Sequence, residues 1–318
     1  MHSMKVLIEQ NRNVQLCAYG LIASGYDLYD RHDADVVDVV NLIHETFSMD
    51  ASVKPYFARA RSEQIAVNPY WPKASGVITA SLFVDSSSRH LNLSEYLQHE
   101  QQAASNVVWK EPDYQQWIRG LPEIIALMEN MNLAEVDAAL RRILQARSIL
   151  FQTCIEDTMS ILDAFLDDRI GTDELVFIPN VLLAPELTDF VHQGNRLYVL
   201  AAEPRIGSMI HELLHCALHD AIAAIPETKL TTLLRQADLK RLHELGYAWD
   251  ESPESNRRIV EESVVRCMTV LLESESDRIR DEKIQSLRQG GFIVPDNLTS
   301  FPCEKMTLKR AREFIAGI

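Results

Sequence analysis

Apolar residues recur at three- and four-residue spacing along most of this chain, and that period predicts helices. Val14-Gln15-Leu16-Cys17-Ala18-Tyr19-Gly20-Leu21-Ile22 reads as a buried helix following the polar residues Asn11 to Asn13. Val36, Val37, Val40, Ile43 and Phe47 mark a second helix, with Asp33 or Asp35 placed to cap it. Asn68-Pro69-Tyr70-Trp71-Pro72 breaks the pattern and reads as a loop. Residues 76–84 form a short apolar run that fits helix and strand equally. From Leu133 to Asp168 neither Gly nor Pro interrupts the period. One long helix or two in sequence are expected there, starting near Asn132 and stopping by Gly171.

Strand signals are fewer. Residues 4–8 read as a short strand. Leu175-Val176-Phe177-Ile178-Pro179 and Arg196-Leu197-Tyr198-Val199-Leu200-Ala201 are rich in β-branched and aromatic residues, with Gly194-Asn195 as turn residues between them. After Pro204 the helical period returns and runs to Pro226. Further helices are expected near 228–245, 256–287 and 304–315, with Gly290-Gly291 as a break. The pattern gives an α+β, predominantly helical chain. It divides into a mainly helical N-terminal region, 1–170, and a strand–strand–helix–helix region, 171–318.

Composition narrows the partners. A chain of 318 residues fits two packed units as well as one large domain. Its formal charge of −15, from 31 basic and 46 acidic residues, argues against nucleic acid and against anionic membrane surfaces. No apolar run approaches the length of a membrane span, and the first run stops at Glu9, too short for a signal-peptide core. A cytoplasmic location is the expectation. Cys17, Cys154, Cys216, Cys267 and Cys303 are odd in number and widely spaced, without a CxxC. They point to neither a disulfide framework nor a cysteine zinc site, and they fit a reducing compartment.

The chemistry concentrates in His211-Glu212-Leu213-Leu214-His215, an HExxH motif. Ile206, Met209, Ile210, Leu213, Leu214, Ala217 and Leu218 surround it, so a half-buried helix is expected. Two imidazoles four residues apart share one helix face and can converge on one zinc ion. Glu212 is offset around the helix; it is suited to reach a water on that ion and take its proton, rather than to ligate. A carboxylate on so apolar a helix is costly without such a task or a partner.

A catalytic zinc normally takes three protein ligands. The pattern HExxHxxGxxH is absent, because Leu218 and Ala221 stand where its glycine and third histidine would be. His219 continues the four-residue spacing, but eight residues of helix rise about 12 Å, too far for one ion to be shared with His211. We read His219 as a surface residue, or as one that supports a ligand from behind.

The segment Arg257-Arg258-Ile259-Val260-Glu261-Glu262-Ser263-Val264-Val265-Arg266-Cys267 reads as the next long helix. Here the chain resembles the gluzincin class of zinc metallopeptidases, in which a Glu on a later helix completes the HExxH site. Glu262 lies 47 positions after His215, within the spacing the class tolerates. The order Glu262-Ser263-Val264-Val265 matches the class, and Glu262 is the preferred third ligand, with Glu261 as its rival. More loosely, the layout resembles uncharacterised bacterial metallopeptidase-like proteins with a helical N-terminal region before a late HExxH.

The resemblance implies a zincin-like catalytic unit with a small sheet, an active-site helix and a ligand helix. It implies a sheet edge bordering the cleft, for which Arg196 to Ala201 is the candidate. It implies an oxyanion-stabilising residue, for which Tyr198, His192, His243, Tyr247 and Arg266 all qualify. The chain departs from the thermolysin pattern at Arg266, where that pattern has an Asp supporting a zinc histidine. Another carboxylate or carbonyl must then orient the histidine.

The resulting expectation is a zinc metallopeptidase: Zn2+ on His211, His215 and Glu262, Glu212 as general base, and a peptide or protein substrate. The alternatives are hydrolysis of a non-peptide amide and a metal-binding scaffold with a vestigial site. For the compartment, denatured and unreduced protein should titrate with five free thiols, one for each cysteine. A count of one would overturn the reducing-compartment reading.

Overall fold

Most of the helical period becomes helix in the structure, a computed structural model. It describes residues 5–26, 33–61, 73–85, 87–103, 112–163, 172–184, 188–245, 253–274, 276–294 and 308–317. The chain is mostly helical with a small mixed sheet, as the sequence pattern predicts. It forms two compact units: residues 1–102, 107–153 and 173–204, and residues 103–106, 154–172 and 205–318.

The first unit holds β1 (Lys5–Ile8), α1 (Arg12–Ala23), α2 (Ala34–Thr46), α3 (Val53–Ala58), α4 (Lys73–Ser81), β2 (Val84–Asp85), β3 (His90–Leu91) and α5 (Leu93–Ala103) almost entire. It continues with α6 (Pro112–Arg119), α7 (Leu121–Glu129) and the first part of α8 (Ala134–Asp163). It ends with β4 (Glu174–Pro179), β5 (Thr188–Gln193) and β6 (Arg196–Ala201). The four-stranded sheet runs β1-β4-β6-β5, with β1, β4 and β6 parallel and β5 antiparallel to β6. Leu175 to Ile178 and Leu197 to Ala201 are buried without alternation, the pattern of central strands covered on both faces.

Strand β6 is therefore internal, and the sheet edges are β1 and β5. This corrects the expectation of 196–201 as an edge strand. Strand β5 escaped the sequence pattern because His192, Gln193 and Asp189 dilute its apolar residues. Gly194, at φ +61, closes the β5–β6 hairpin in a conformation that costs other residues strain.

Local chemistry explains several boundaries. The Asn11 side chain accepts from the Val14 backbone N–H at 3.1 Å and caps α1. The buried Asn13 amide donates to the carbonyls of Ser81 (3.2 Å) and Val84 (2.9 Å), where α4 gives way to β2. Residues 73–81 are thus helix, and only Val84 and Asp85 are strand. Asp33 occupies the N-cap of α2 without a side-chain cap bond; its carboxylate lies 2.9 Å from Arg147 instead. The stretch from Leu133 becomes one helix, α8, over Ala134–Asp163. Residues 68–72 lie outside the described residues.

The second unit holds the rest of α8 and then α9 (Ile206–Ala223), α10 (Glu227–Leu234), α11 (Leu239–Glu244), α12 (Pro253–Glu273), α13 (Asp277–Gln289) and α14 (Leu308–Gly317). The expected helix at 228–245 is two helices, and that at 256–287 is likewise two. Ser276 caps α13 by accepting from the Ile279 N–H at 3.4 Å, which starts a new helix after a run of polar residues. Among the described residues no helix is long and apolar enough to cross a membrane.

Gly20 shows how tightly α1 and α3 pack. A Cβ there would meet the Phe57 ring at 2.1 Å. Gly20→Ala should lower stability, since overpacking costs about 1–3 kcal/mol against about 1 kcal/mol gained from helix propensity. A urea midpoint that rises would show that the ring yields.

Candidate metal centre

Helix α9 carries two stripes. Met209, Ile210, Leu213, Leu214, Ala217, Leu218 and Ile222 are buried and fix the helix in the core of the second unit. His211, Glu212, His215, Cys216 and His219 are half-buried on the adjoining face. Helix α12 supplies the opposite wall through Ile259, Val260, Val264, Val265 and Met268, all buried.

The two helices are aligned antiparallel from both ends. At the start of α9, Gly207 leaves room for Glu273, whose Oε2 would lie 2.0 Å from any Cβ there. Lys283 holds that carboxylate at 2.6 Å. At the other end, Arg257 Nη1 donates to the carbonyls of Ile222 (3.1 Å), Ala223 (2.9 Å) and Ile225 (3.1 Å). These carbonyls lie at and just beyond the end of α9, where no further helical turn supplies a full set of N–H donors to them. Arg257 Nη2 also reaches Glu227 at 2.7 Å.

This alignment sets His211 and His215 against Glu261 and Glu262. His215 Nε2 lies 3.1 Å from His211 Nε2 and 3.3 Å from Glu262 Oε2. His211 Nε2 lies 3.5 Å from Glu262 Oε1. One ligand atom from each of the three residues falls within 4.8 Å of the others, a group that could hold a metal ion. An ion bound at about 2.0–2.1 Å places tetrahedral ligands about 3.3–3.4 Å apart, so the donor set fits such an ion. The rings lie near perpendicular, at 81°, which lets both Nε2 atoms turn toward one point.

Glu261 faces the other side of the same histidine. Its Oε1 is 2.9 Å from His215 Nδ1, and its Oε2 is 3.6 Å from His219 Nδ1. Its side chain is only 4% exposed. Arg266 donates from Nε to Glu262 Oε1 at 2.7 Å, and its guanidinium lies 4.7 Å from the Phe292 ring centre.

Electrostatics follows from this crowding. Burial lowers His211 below the ordinary imidazole value, with Glu262 opposing. Burial pulls His215 down as well, but its bonds to Glu261 and Glu262 outweigh that and lift it to about 10. Burial works against ionising Glu262, yet Arg266 and His211 hold it well below the usual carboxylate range. Burial likewise opposes the charge on Glu261, and His215 and His219 overcome it. His219 is raised, first by its contact with the Glu261 carboxylate.

The structure thus brings together His211, His215 and Glu262, with Glu262 rather than Glu261 in the group. Glu212 is half-buried on α9, one residue beyond His211 and outside the three. His219 is not a bare surface residue, since its ring meets Glu261. Arg266 adjoins the group through Glu262. Tyr198 and His192 belong to the sheet of the first unit. Tyr247 lies outside the described residues, as does the side chain of His243. The sequence reading missed Glu261 as a partner of two histidines; the signal was the spacing of His215 and His219, which lets one carboxylate bridge adjacent turns.

No protein-family model, curated protein or solved structure matches the chain.

A protonated His215 donates from Nε2 toward His211 and Glu262, and a cation must exchange with that proton. At pH 8, below the His215 value of about 10 and above that of the depressed His211, metal binding should release about one proton. Calorimetric titration in two buffers of different ionisation enthalpy measures this. Zero release would contradict the protonated state of His215.

Proposed function

We propose that this chain is a zinc-dependent hydrolase, acting on peptide bonds, of the gluzincin type. The convergence of His211, His215 and Glu262 from antiparallel helices α9 and α12 carries the reading. Two imidazoles and one carboxylate are the donor set of catalytic zinc sites that leave a coordination position open. Hard oxygen-seeking ions such as magnesium and calcium are disfavoured by two nitrogen donors.

His211, His215 and Glu262 would hold the zinc. When bound, it supplies a Lewis acid that polarises the scissile carbonyl and makes water a stronger acid. Glu212 supplies the base. Its carboxylate takes a proton from the attacking water and returns it to the leaving amide nitrogen. Its place one residue after His211 turns it about 100° around the helix from that ligand, which suits proton transfer beside the donor set rather than in it. Arg266 holds the Glu262 carboxylate in place through its 2.7 Å bond.

The reading is tested by elemental analysis, a peptide-library cleavage assay and two variants. Purified protein reconstituted with zinc should carry about one ion per chain. His211→Ala should lose the metal and some stability together, because ligation links two helices. Glu212→Gln should keep fold and metal while cleavage falls about a hundredfold to ten-thousandfold. Full activity in Glu212→Gln with zinc bound would sink the general-base role. Tight zinc binding without cleavage of any peptide would favour the scaffold, or an amide outside the peptide class.

A further inference from the structure

The donor set has a second carboxylate behind it. Glu261 and Glu262 are adjacent on α12, both buried, yet they do different work. Glu262 faces the Nε2 atoms of both histidines. Glu261 faces Nδ1 of His215 and Nδ1 of His219, one turn further along α9.

A metal-ligating imidazole almost always donates its other ring N–H to a carboxylate, carbonyl or water, and that second bond sets both tautomer and ring angle. The 2.9 Å contact between Glu261 Oε1 and His215 Nδ1 supplies such a bond. In the metal-loaded site this bond would keep a proton on Nδ1 and leave Nε2, the atom that faces His211 and Glu262, to bind the ion. His219 in turn steadies Oε2, from a position 34% exposed. The position four residues after Glu262 is filled by Arg266, whose positive charge faces Glu262 and offers no acceptor to an imidazole N–H.

We propose that Glu261 is the positioning carboxylate of the metal centre, orienting His215 through Nδ1, with His219 as its anchor. This rests on the proposed metal site. The role is distinct from ligation. Glu261 sets the affinity and direction of a ligand that it does not replace.

Cobalt separates the two roles, because its visible absorption reports the atoms bound to it. Wild type, Glu261→Gln, Glu262→Gln and His219→Gln are titrated with Co2+, and bound ion is then stripped with a chelator. Glu262→Gln should change the spectrum. Glu261→Gln should keep the wild-type spectrum but bind about 10- to 100-fold more weakly, the usual cost of losing such a partner. His219→Gln, at a more exposed site, should weaken binding less than Glu261→Gln. In zinc-loaded wild type, nitrogen-resolved NMR should find a proton on Nδ1 of His215 and none on Nε2.

Wild-type affinity and stripping rate in Glu261→Gln would overturn the proposal while leaving the metal site intact. A changed spectrum in Glu261→Gln with an unchanged one in Glu262→Gln would make Glu261 the ligand. Should Glu261→Gln fail to fold, the NMR measurement decides alone: a proton on Nε2 of His215 overturns the assignment. Wild type that binds neither ion removes the metal site itself, and the positioning role with it.

Discussion

The antiparallel pairing of α9 with α12 is the constraint on which the site depends. Neither helix can assemble the donor set alone, since His211 and His215 stand on one and Glu261 and Glu262 on the other. The apolar faces supply the adhesion, through residues such as Leu214, Leu218, Val264 and Met268 at 2% exposure or less. Apolar packing alone lets helices slide by a turn. Arg257 opposes such a slide, because it spans the Ile222, Ala223 and Ile225 carbonyls at the end of α9. A shift of one turn, about 5.4 Å, would separate every pair in the site.

That pairing carries an electrostatic cost. Two neighbouring carboxylates are drawn into a nearly dry interface, where an unpaired charge is expensive. The compensation is distributed. Glu261 has His215 and His219, and Glu262 has Arg266 and both HExxH histidines. A bound cation would join this set, so the same contacts that hold the metal-free unit together shape its affinity for an ion.

The first unit buries polar groups by another route. Tyr96 and Tyr114 share a hydroxyl–hydroxyl bond of 2.6 Å, and Tyr96 donates to the Gly76 carbonyl at 3.1 Å. Ser75 bonds to Asp189 on β5, tying α4 to the edge strand. Burial raises both tyrosines well above their ordinary value, so they stay neutral. These polar groups are satisfied by one another. They fix how α4, α5 and α6 meet, and they bring no HExxH-type donor set together.

The sequence by itself placed α1, α2, α8, α9 and α12, because apolar spacing at three and four residues is a property of each segment alone; α3, α5, α6 and α7 were not read from it. It determined that His211 and His215 share a face of α9 for the same reason. It also located the helix that carries Glu261 and Glu262. Strand β5 was not legible, since its burial comes from pairing with β6 rather than from its own pattern. The break near 235–238 was hidden because Ala237 keeps the apolar period, while the break before α13 is marked by the polar run from Glu273 to Arg278 and the Ser276 cap. The resemblance favoured Glu262 over Glu261, but only the tertiary structure sets Glu262 against the Nε2 atoms of both histidines. Adjacent residues differ by about 100° around a helix, and which direction meets His211 depends on the rotation of α12 against α9. That rotation depends on contacts between the two helices, such as those of Arg257 with the end of α9, and no local spacing encodes it.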